Sequence, residues 1–85
     1  MSNKAIIYHT EGCVKCKITS QRLNMETEMI LVDAKNDSDK LIIDNFRKKG
    51  YKSFPVVQVY HNEDLVDEWN DFNINKIKYW NDKNK

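Results

Sequence analysis

Cys13 and Cys16 are the two cysteines of this 85-residue chain, and they lie three positions apart in Gly12-Cys13-Val14-Lys15-Cys16. At the start of a helix, a pair with this spacing faces the same side and can form and break a disulfide. Unpaired backbone N–H groups and the helix dipole there lower the thiol pKa of the first cysteine from about 8.5, and Lys15 and Lys17 add to this effect. The spacing therefore predicts Cys13 as the nucleophile and Cys16 as the resolving cysteine.

Three other uses of this spacing have to be considered. C-x-x-C is half of a zinc site, whose remaining ligands would have to be His9 and His61 because the chain has no other Cys or His. The hairpin position predicted for His61 is remote from the cysteines, which disfavours zinc. The cysteines could also pack as small hydrophobic residues, or hold an iron–sulfur cluster shared across a dimer. We expect no resident metal.

Pro55 is the second candidate element of a site, and it is the only proline in the chain. A cis Phe54–Pro55 peptide would turn the chain before a strand and expose backbone for pairing with a substrate. A trans proline at the start of a strand is the alternative, and the sequence alone does not decide between them.

The elements that must position these residues begin with two apolar runs. Residues 4–9 and 29–32 read as strands buried on both faces. Between them, residues 13 to about 25 have the spacing of a helix with an inner stripe of Cys16, Thr19 and Leu23. N-cap residues at 36–39 predict a second helix that ends at Gly50. The residues expected on its inner face are Leu41, Ile42, Asn45 and Phe46.

The last third of the chain predicts a hairpin and a helix. Residues 56–60 and 65–69 read as strands around a polar turn at 61–64. Residues 73 to about 81 then carry Ile74, Ile77 and Trp80 at helical spacing, before a polar tail from about 82. The order is β-α-β-α-β-β-α, which predicts a single α/β domain over residues 1–85 with a four-stranded mixed sheet flanked by three helices.

Composition excludes several classes of function. The formal net charge is +1 with both signs interspersed, so the electrostatic footprint of a nucleic-acid binder is missing. No apolar run approaches the roughly 20 residues of a membrane span, and no secretory leader is recognisable. Two closely spaced cysteines are not the pattern of a secreted disulfide scaffold. We expect a cytoplasmic monomer.

Several motifs at matching spacing resemble those of the glutaredoxins and, more closely, of the NrdH-redoxins, glutaredoxin-like proteins with thioredoxin-like activity. The resemblance covers almost the whole chain and implies a thioredoxin/glutaredoxin-like fold. Its motifs are Cys13-Val14-Lys15-Cys16, Thr19, Gly50-Tyr51, Ser53-Phe54-Pro55-Val56-Val57 and Trp69-Asn70-Asp71-Phe72.

This resemblance implies roles and partners. Cys13 would attack, Cys16 would resolve, and Pro55 would be a cis proline facing them. Family members pass electrons from NADPH through thioredoxin reductase to class Ib ribonucleotide reductase, using no cofactor beyond the disulfide of the two cysteines. The residues implied at the substrate are Val14, Lys15, Phe54, Pro55 and Val56, with Trp69 and Phe72 as docking residues. For Trp69, core packing is the alternative.

The chain also departs from these families. Asn70 and Asp71 stand where the NrdH-redoxins have Ser and Gly in W-S-G-F, and Ser20 stands where lysine is common. Classical glutaredoxins hold glutathione with residues of the motifs C-P-Y-C, T-V-P and G-G-x-D-D. At the corresponding positions this chain has Val14, Phe54 and Asn70-Asp71-Phe72-Asn73. A redoxin reduced by thioredoxin reductase is therefore the leading prediction. A glutathione-dependent glutaredoxin, a metal-binding module and a domain used only for docking are the alternatives.

Overall fold

The computed structural model describes residues 3–83. Within this range the strands and helices follow the predicted order β-α-β-α-β-β-α. Their bounds are β1 Asn3–His9, α1 Val14–Arg22, β2 Glu26–Leu31, α2 Asp37–Lys48, β3 Val56–His61, β4 Asp64–Asn70 and α3 Ile74–Lys83.

The sheet has the strand order β2-β1-β3-β4. β1 pairs parallel with β2 and antiparallel with β3, which in turn pairs antiparallel with β4. Tyr8 near the end of β1 pairs with Val56 at the start of β3, and Val56 also pairs with Asn70 at the end of β4. The loops that follow β1, precede β3 and follow β4 therefore lie together at one end of the strands, where the predicted site residues also lie.

Helices cover both faces of this sheet. On one face, side chains of β1, β3 and β4 form a buried cluster with Leu23 after α1 and with Ile77 and Trp80 of α3. Successive strand residues point to opposite faces, so Tyr8 points away from this cluster. Its ring lies 5.0 Å from that of Phe46 in α2 between ring centroids. The loop that carries Cys13 follows β1 directly, so it is attached to a strand with helices on both faces.

β2 differs from the prediction of a second buried run at 29–32. The strand begins earlier, at Glu26, and it lies at the edge of the sheet. Met29 and Leu31 are 40% and 53% exposed, and Val32, just beyond the strand, is the buried residue of the run. An edge strand has a neighbour on one side alone, so its apolar side chains are covered incompletely.

α1 also ends before the predicted position. Asn81 of α3 donates from its side-chain amide to the carbonyl of Arg22 at 2.8 Å and accepts from the backbone N–H of Asn24 at 2.8 Å. These bonds satisfy backbone groups at the end of the helix and hold Leu23 in an extended conformation. The predicted stripe is confirmed, since Cys16, Thr19 and Leu23 are buried.

α2 begins as predicted. The side-chain oxygen of the N-cap Asn36 accepts from the backbone N–H groups of Ser38 and Asp39 at 2.9 and 3.2 Å. At the other end Gly50 adopts a left-handed φ of +92°, which lets the chain turn out of the helix. The predicted inner face is only partly right: Phe46 is buried and Ile42 half-buried, but Leu41 and Asn45 are exposed. Ile43, which was not predicted, is buried with Phe46.

α3 runs beyond the predicted end, to Lys83, and the remainder of the predicted polar tail lies outside the described residues. Among residues 3–83, every helix is too short or too polar to cross a membrane.

Candidate functional site

Cys13 and Cys16 form a disulfide at the N-terminus of α1, with their Cα atoms 5.3 Å apart. Cys13 is the N-cap residue, and its Sγ accepts a hydrogen bond of 3.2 Å from the backbone N–H of Cys16. Gly12 before it has a φ of +73°, a left-handed conformation that glycine adopts without strain. The helix terminus thus supplies a backbone donor directed at the sulfur that the sequence predicts as nucleophile.

The two sulfur-bearing residues differ in access. Cys16 is 1% exposed, whereas Cys13 is half-buried at the rim of the domain. A substrate can therefore approach Cys13, while Cys16 is shielded by the protein. This asymmetry supports the predicted division between an attacking and a resolving cysteine.

The loop before β3 lies at the same end of the sheet as the cysteines. The Phe54–Pro55 peptide is cis, which decides the alternative that the sequence left open. Two hydrogen bonds join this loop to the end of β4: the backbone N–H of Asp71 donates to the carbonyl of Pro55 at 2.7 Å, and the amide of Asn70 donates to the carbonyl of Ser53 at 3.4 Å. The two residues that depart from the W-S-G-F pattern therefore fasten the proline loop.

Asp71 also contacts the redox motif. The ammonium of Lys15, between the two cysteines, lies 3.1 Å from Oδ1 of Asp71. A hydrogen bond from the backbone N–H of Phe72 and then the Lys15 ammonium hold the pKa of the Asp71 carboxyl below its ordinary value. The φ of Asp71 is +67°, a conformation that glycine favours and that Asp tolerates better than most residues.

The disulfide also lines an open hollow of about 720 Å³ between the β1–α1 loop, α1 and β2. The exposed edge residues Met29 and Leu31 form part of its wall, with Val14 beside the cysteines. These two residues were not predicted as part of a site, because the edge position of β2 that exposes them is a property of the folded sheet. The residues that complete the wall are His9, Thr10, Glu11, Gly12, Cys13, Cys16, Lys17 and Ser20.

The other predicted substrate and docking residues have different positions. Val14 and Lys15 are exposed, and Phe54 is half-buried beside the buried Pro55. Val56 is 1% exposed, so its side chain packs inside the domain. Trp69, at 4% exposure, belongs to the core cluster, which favours the packing alternative over docking. Phe72 is exposed, with the Arg22 guanidinium carbon 6.0 Å from its ring centroid.

The geometry does not close a zinc site with the two histidines. His61 pairs with Asn3 at one end of β1, and His9 is the last residue of that strand. Six residue steps along a strand span about 20 Å, far beyond the reach of one metal ion. Within residues 3–83, no three His, Cys, Asp or Glu side chains are grouped as metal ligands would be.

This arrangement can carry out thiol–disulfide exchange. The reduced Cys13 thiolate attacks one sulfur of a substrate disulfide, forming a mixed disulfide and releasing the other substrate sulfur as a thiolate. Cys16, after losing its proton, attacks Sγ of Cys13, so that the Cys13–Cys16 disulfide forms and the second substrate thiolate leaves. The substrate gains two electrons and, with two protons, becomes a dithiol.

Comparison with known proteins supports the same fold. No protein-family model and no curated protein sequence matches the chain. Among solved structures, the glutaredoxin-like NrdH-redoxin from Escherichia coli aligns with a TM-score of 0.67 and 24% identity, over 89% of this chain and 92% of that one.

Thioredoxins align with the chain as well. Thioredoxin f2 of Chlamydomonas reinhardtii has a TM-score of 0.57 and 17% identity, over 99% of this chain and 80% of that one. Spinach chloroplast thioredoxin f has a TM-score of 0.58 and 14% identity, over 96% and 75%. The chain therefore has the thioredoxin/glutaredoxin-like fold and resembles the NrdH-redoxin of E. coli in fold. It carries a disulfide at the start of α1.

Proposed function

We propose that this protein is a thiol–disulfide oxidoreductase, a redoxin that donates electrons to protein disulfides through Cys13 and Cys16. The observation that carries the proposal is the disulfide at the N-terminus of α1, in which Cys13 is accessible and Cys16 is buried. A nucleophile must be reached by its substrate, whereas a resolving thiol has to reach only the neighbouring sulfur.

The electron donor in this proposal is thioredoxin reductase, and the acceptor is class Ib ribonucleotide reductase. Support comes from the motifs shared with the NrdH-redoxins and from the fold shared with the E. coli protein, which is described as glutaredoxin-like with a thioredoxin-like activity profile. The protein would act as a monomer in the cytoplasm, where thiols are kept reduced, and would need no cofactor beyond its own disulfide.

Glutathione is the weaker donor in this proposal. Two charged side chains beside the motif, Lys15 and Asp71, already contact each other. A glutathione molecule would have to compete with this pair for the same charges.

The test compares two reducing systems with the purified protein. NADPH oxidation is followed with thioredoxin reductase and a protein disulfide such as insulin, and in parallel with glutathione and glutathione reductase. Activity in the first system alone is the expected result. Activity in the second alone would make the protein a glutathione-dependent glutaredoxin, and inactivity in both would overturn the redoxin proposal.

The acceptor is tested separately. Oxidised class Ib ribonucleotide reductase is supplied with the reduced protein as sole electron donor, and deoxyribonucleotide formation is measured. The Cys13→Ser variant serves as the matched control, since it retains Cys16 but lacks the attacking sulfur. Product formation with the wild-type protein alone supports the assignment, whereas equal rates with both proteins would contradict it.

A further inference from the structure

Asp71 is the residue that contacts both the redox motif and the cis-proline loop. Its backbone N–H donates to the carbonyl of Pro55 at 2.7 Å, and its Oδ1 lies 3.1 Å from Nζ of Lys15. Lys15 is 56 positions away in sequence and stands between the two cysteines. One side chain thus places a negative charge next to the only cation within the C-x-x-C segment.

The carboxylate of Asp71 is held in place independently of Lys15. The left-handed backbone of Asp71 directs Oδ1 to accept from the backbone N–H of Phe72 at 2.8 Å. The same bond and the Lys15 ammonium keep the pKa of this carboxyl below its ordinary value, so the group is charged at neutral pH. A preset acceptor loses little conformational freedom when the lysine binds.

Reduction creates a second anion with which the ammonium of Lys15 can interact. When the disulfide takes up two electrons and one proton, it becomes a Cys13 thiolate and a Cys16 thiol. The Cα atoms of Cys13 and Lys15 are at most about 7.6 Å apart, a distance that the lysine and cysteine side chains can span together. The other charged or titratable groups that share the hollow with Cys13 are His9, Glu11 and Lys17.

We propose that Asp71 is a positioning residue that competes with the Cys13 thiolate for the ammonium of Lys15 and thereby makes the dithiol a stronger reductant. The inference deepens the proposed redoxin function and rests on it. With Lys15 bound to Asp71, the thiolate receives less stabilisation from the lysine, so the reduced state is less favoured. Release of Lys15 would stabilise the thiolate and make the protein more oxidising.

The first experiment replaces Asp71 by asparagine. Asp71→Asn keeps an acceptor for the N–H of Phe72 and tolerates a left-handed backbone, but it removes the charge. The pH dependence of alkylation of the reduced protein by iodoacetamide is measured, together with the reduction potential. We expect the midpoint of the profile to fall by about half a pH unit. At a pH below the midpoint, this shift gives about threefold more thiolate. Its energy corresponds to that of one exposed ion pair. The potential should become less negative.

Lys15 variants decide whether the effect passes through that residue. In a Lys15→Gln background, Asp71→Asn should leave the midpoint unchanged, whereas in a Lys15→Arg background, which keeps the charge, the downward shift should persist. An equal shift in the glutamine background would overturn the proposal, because Asp71 would then act on Cys13 directly or through the fold. An unchanged midpoint in Asp71→Asn alone would overturn it as well.

These measurements remain informative if the proposed function fails. Alkylation and redox equilibration with dithiothreitol need no reductase or protein substrate. They measure the effect of Lys15 and Asp71 on the Cys13 thiolate and on the reduction potential. Inactivity of the wild-type protein in both reducing systems would refute the electron-transfer role without changing the outcome expected for Asp71→Asn.

Discussion

At the scale of single residues, the chemistry depends on the different surroundings of two cysteines that are otherwise alike. Cys13 caps α1, receives a backbone N–H and lies at the surface, whereas Cys16 is buried one turn later. Oriented backbone donors stabilise a thiolate at the first position, and burial protects the second thiol from outside disulfides. Each residue therefore has one step of the exchange for which it is suited.

This division predicts opposite phenotypes for two serine variants. Cys16→Ser should accumulate a mixed disulfide between Cys13 and the protein substrate, because no resolving thiol remains. Cys13→Ser should show no exchange and no adduct. Non-reducing gel electrophoresis and mass spectrometry of the trapped product measure both results. Turnover by Cys13→Ser at the wild-type rate would show that the roles are assigned wrongly.

At the scale of elements, the N-terminus of α2 is fixed by its cap. The N-cap of α2 satisfies two backbone N–H groups through a single asparagine oxygen, and Asp37 and Asp39 place negative charge in its first turn. α2 then covers the face of the sheet to which Tyr8 points. The stability of this helix is therefore linked to β1, the strand that precedes the loop carrying Cys13.

Loss of this cap should lower stability by an amount typical of helix N-caps. Asn36→Ala removes the acceptor for Ser38 and Asp39 and is expected to reduce the free energy of unfolding by about 1 kcal/mol. Asn36→Asp is the matched control, since aspartate caps equally well. Urea denaturation followed by circular dichroism gives both values. Equal stability of the alanine and aspartate variants would contradict the assigned cap.

At the scale of the whole molecule, one carboxylate ties the final helix to the sheet. Both oxygens of Asp67 in β4 accept from the ammonium of Lys76, at 2.8 and 2.9 Å, and Oδ2 also accepts from the indole N–H of Trp80 at 2.9 Å. Burial alone would raise the pKa of Asp67, but the hydrogen bonds from Lys76, Trp80 and the backbone of Glu68 outweigh it, so the pKa is lowered.

A depressed pKa makes this contact sensitive to acid. The ordinary pKa of 3.8 applies to the unfolded chain, so the stabilisation is complete above about that pH and is lost as pH falls through the lower folded-state value. Asp67→Asn should cost about 1–2 kcal/mol at neutral pH, and its difference from the wild-type protein should shrink below pH ~3.8. Urea unfolding across pH measures this difference.

An exposed carboxylate on the same strand provides the control. Asp64→Asn changes the same kind of group at the first residue of β4 and should alter the free energy of unfolding by less than about 0.5 kcal/mol. A constant difference between wild type and Asp67→Asn at every pH would show that the charge of Asp67 contributes nothing to the contact.

Features that depend on neighbours along the chain could be predicted before the fold was known. The spacing of Cys13 and Cys16, the Asn36 cap and the glycine at position 50 act within a few residues, so the order of elements and the redox chemistry could be predicted from them. The cis form of Pro55 could be inferred only through the resemblance, because the local sequence permits both isomers.

The tertiary structure alone decided exposure and long-range contact. Met29 and Leu31 are exposed because β2 has a neighbour on one side, and Val56 and Trp69 are buried because β3 and β4 lie under the helices. The pairing of Lys15 with Asp71 joins residues 56 positions apart. Periodicity reports which face of an element is apolar, but which other elements meet that face, and which charges they bring, is settled only when the chain packs.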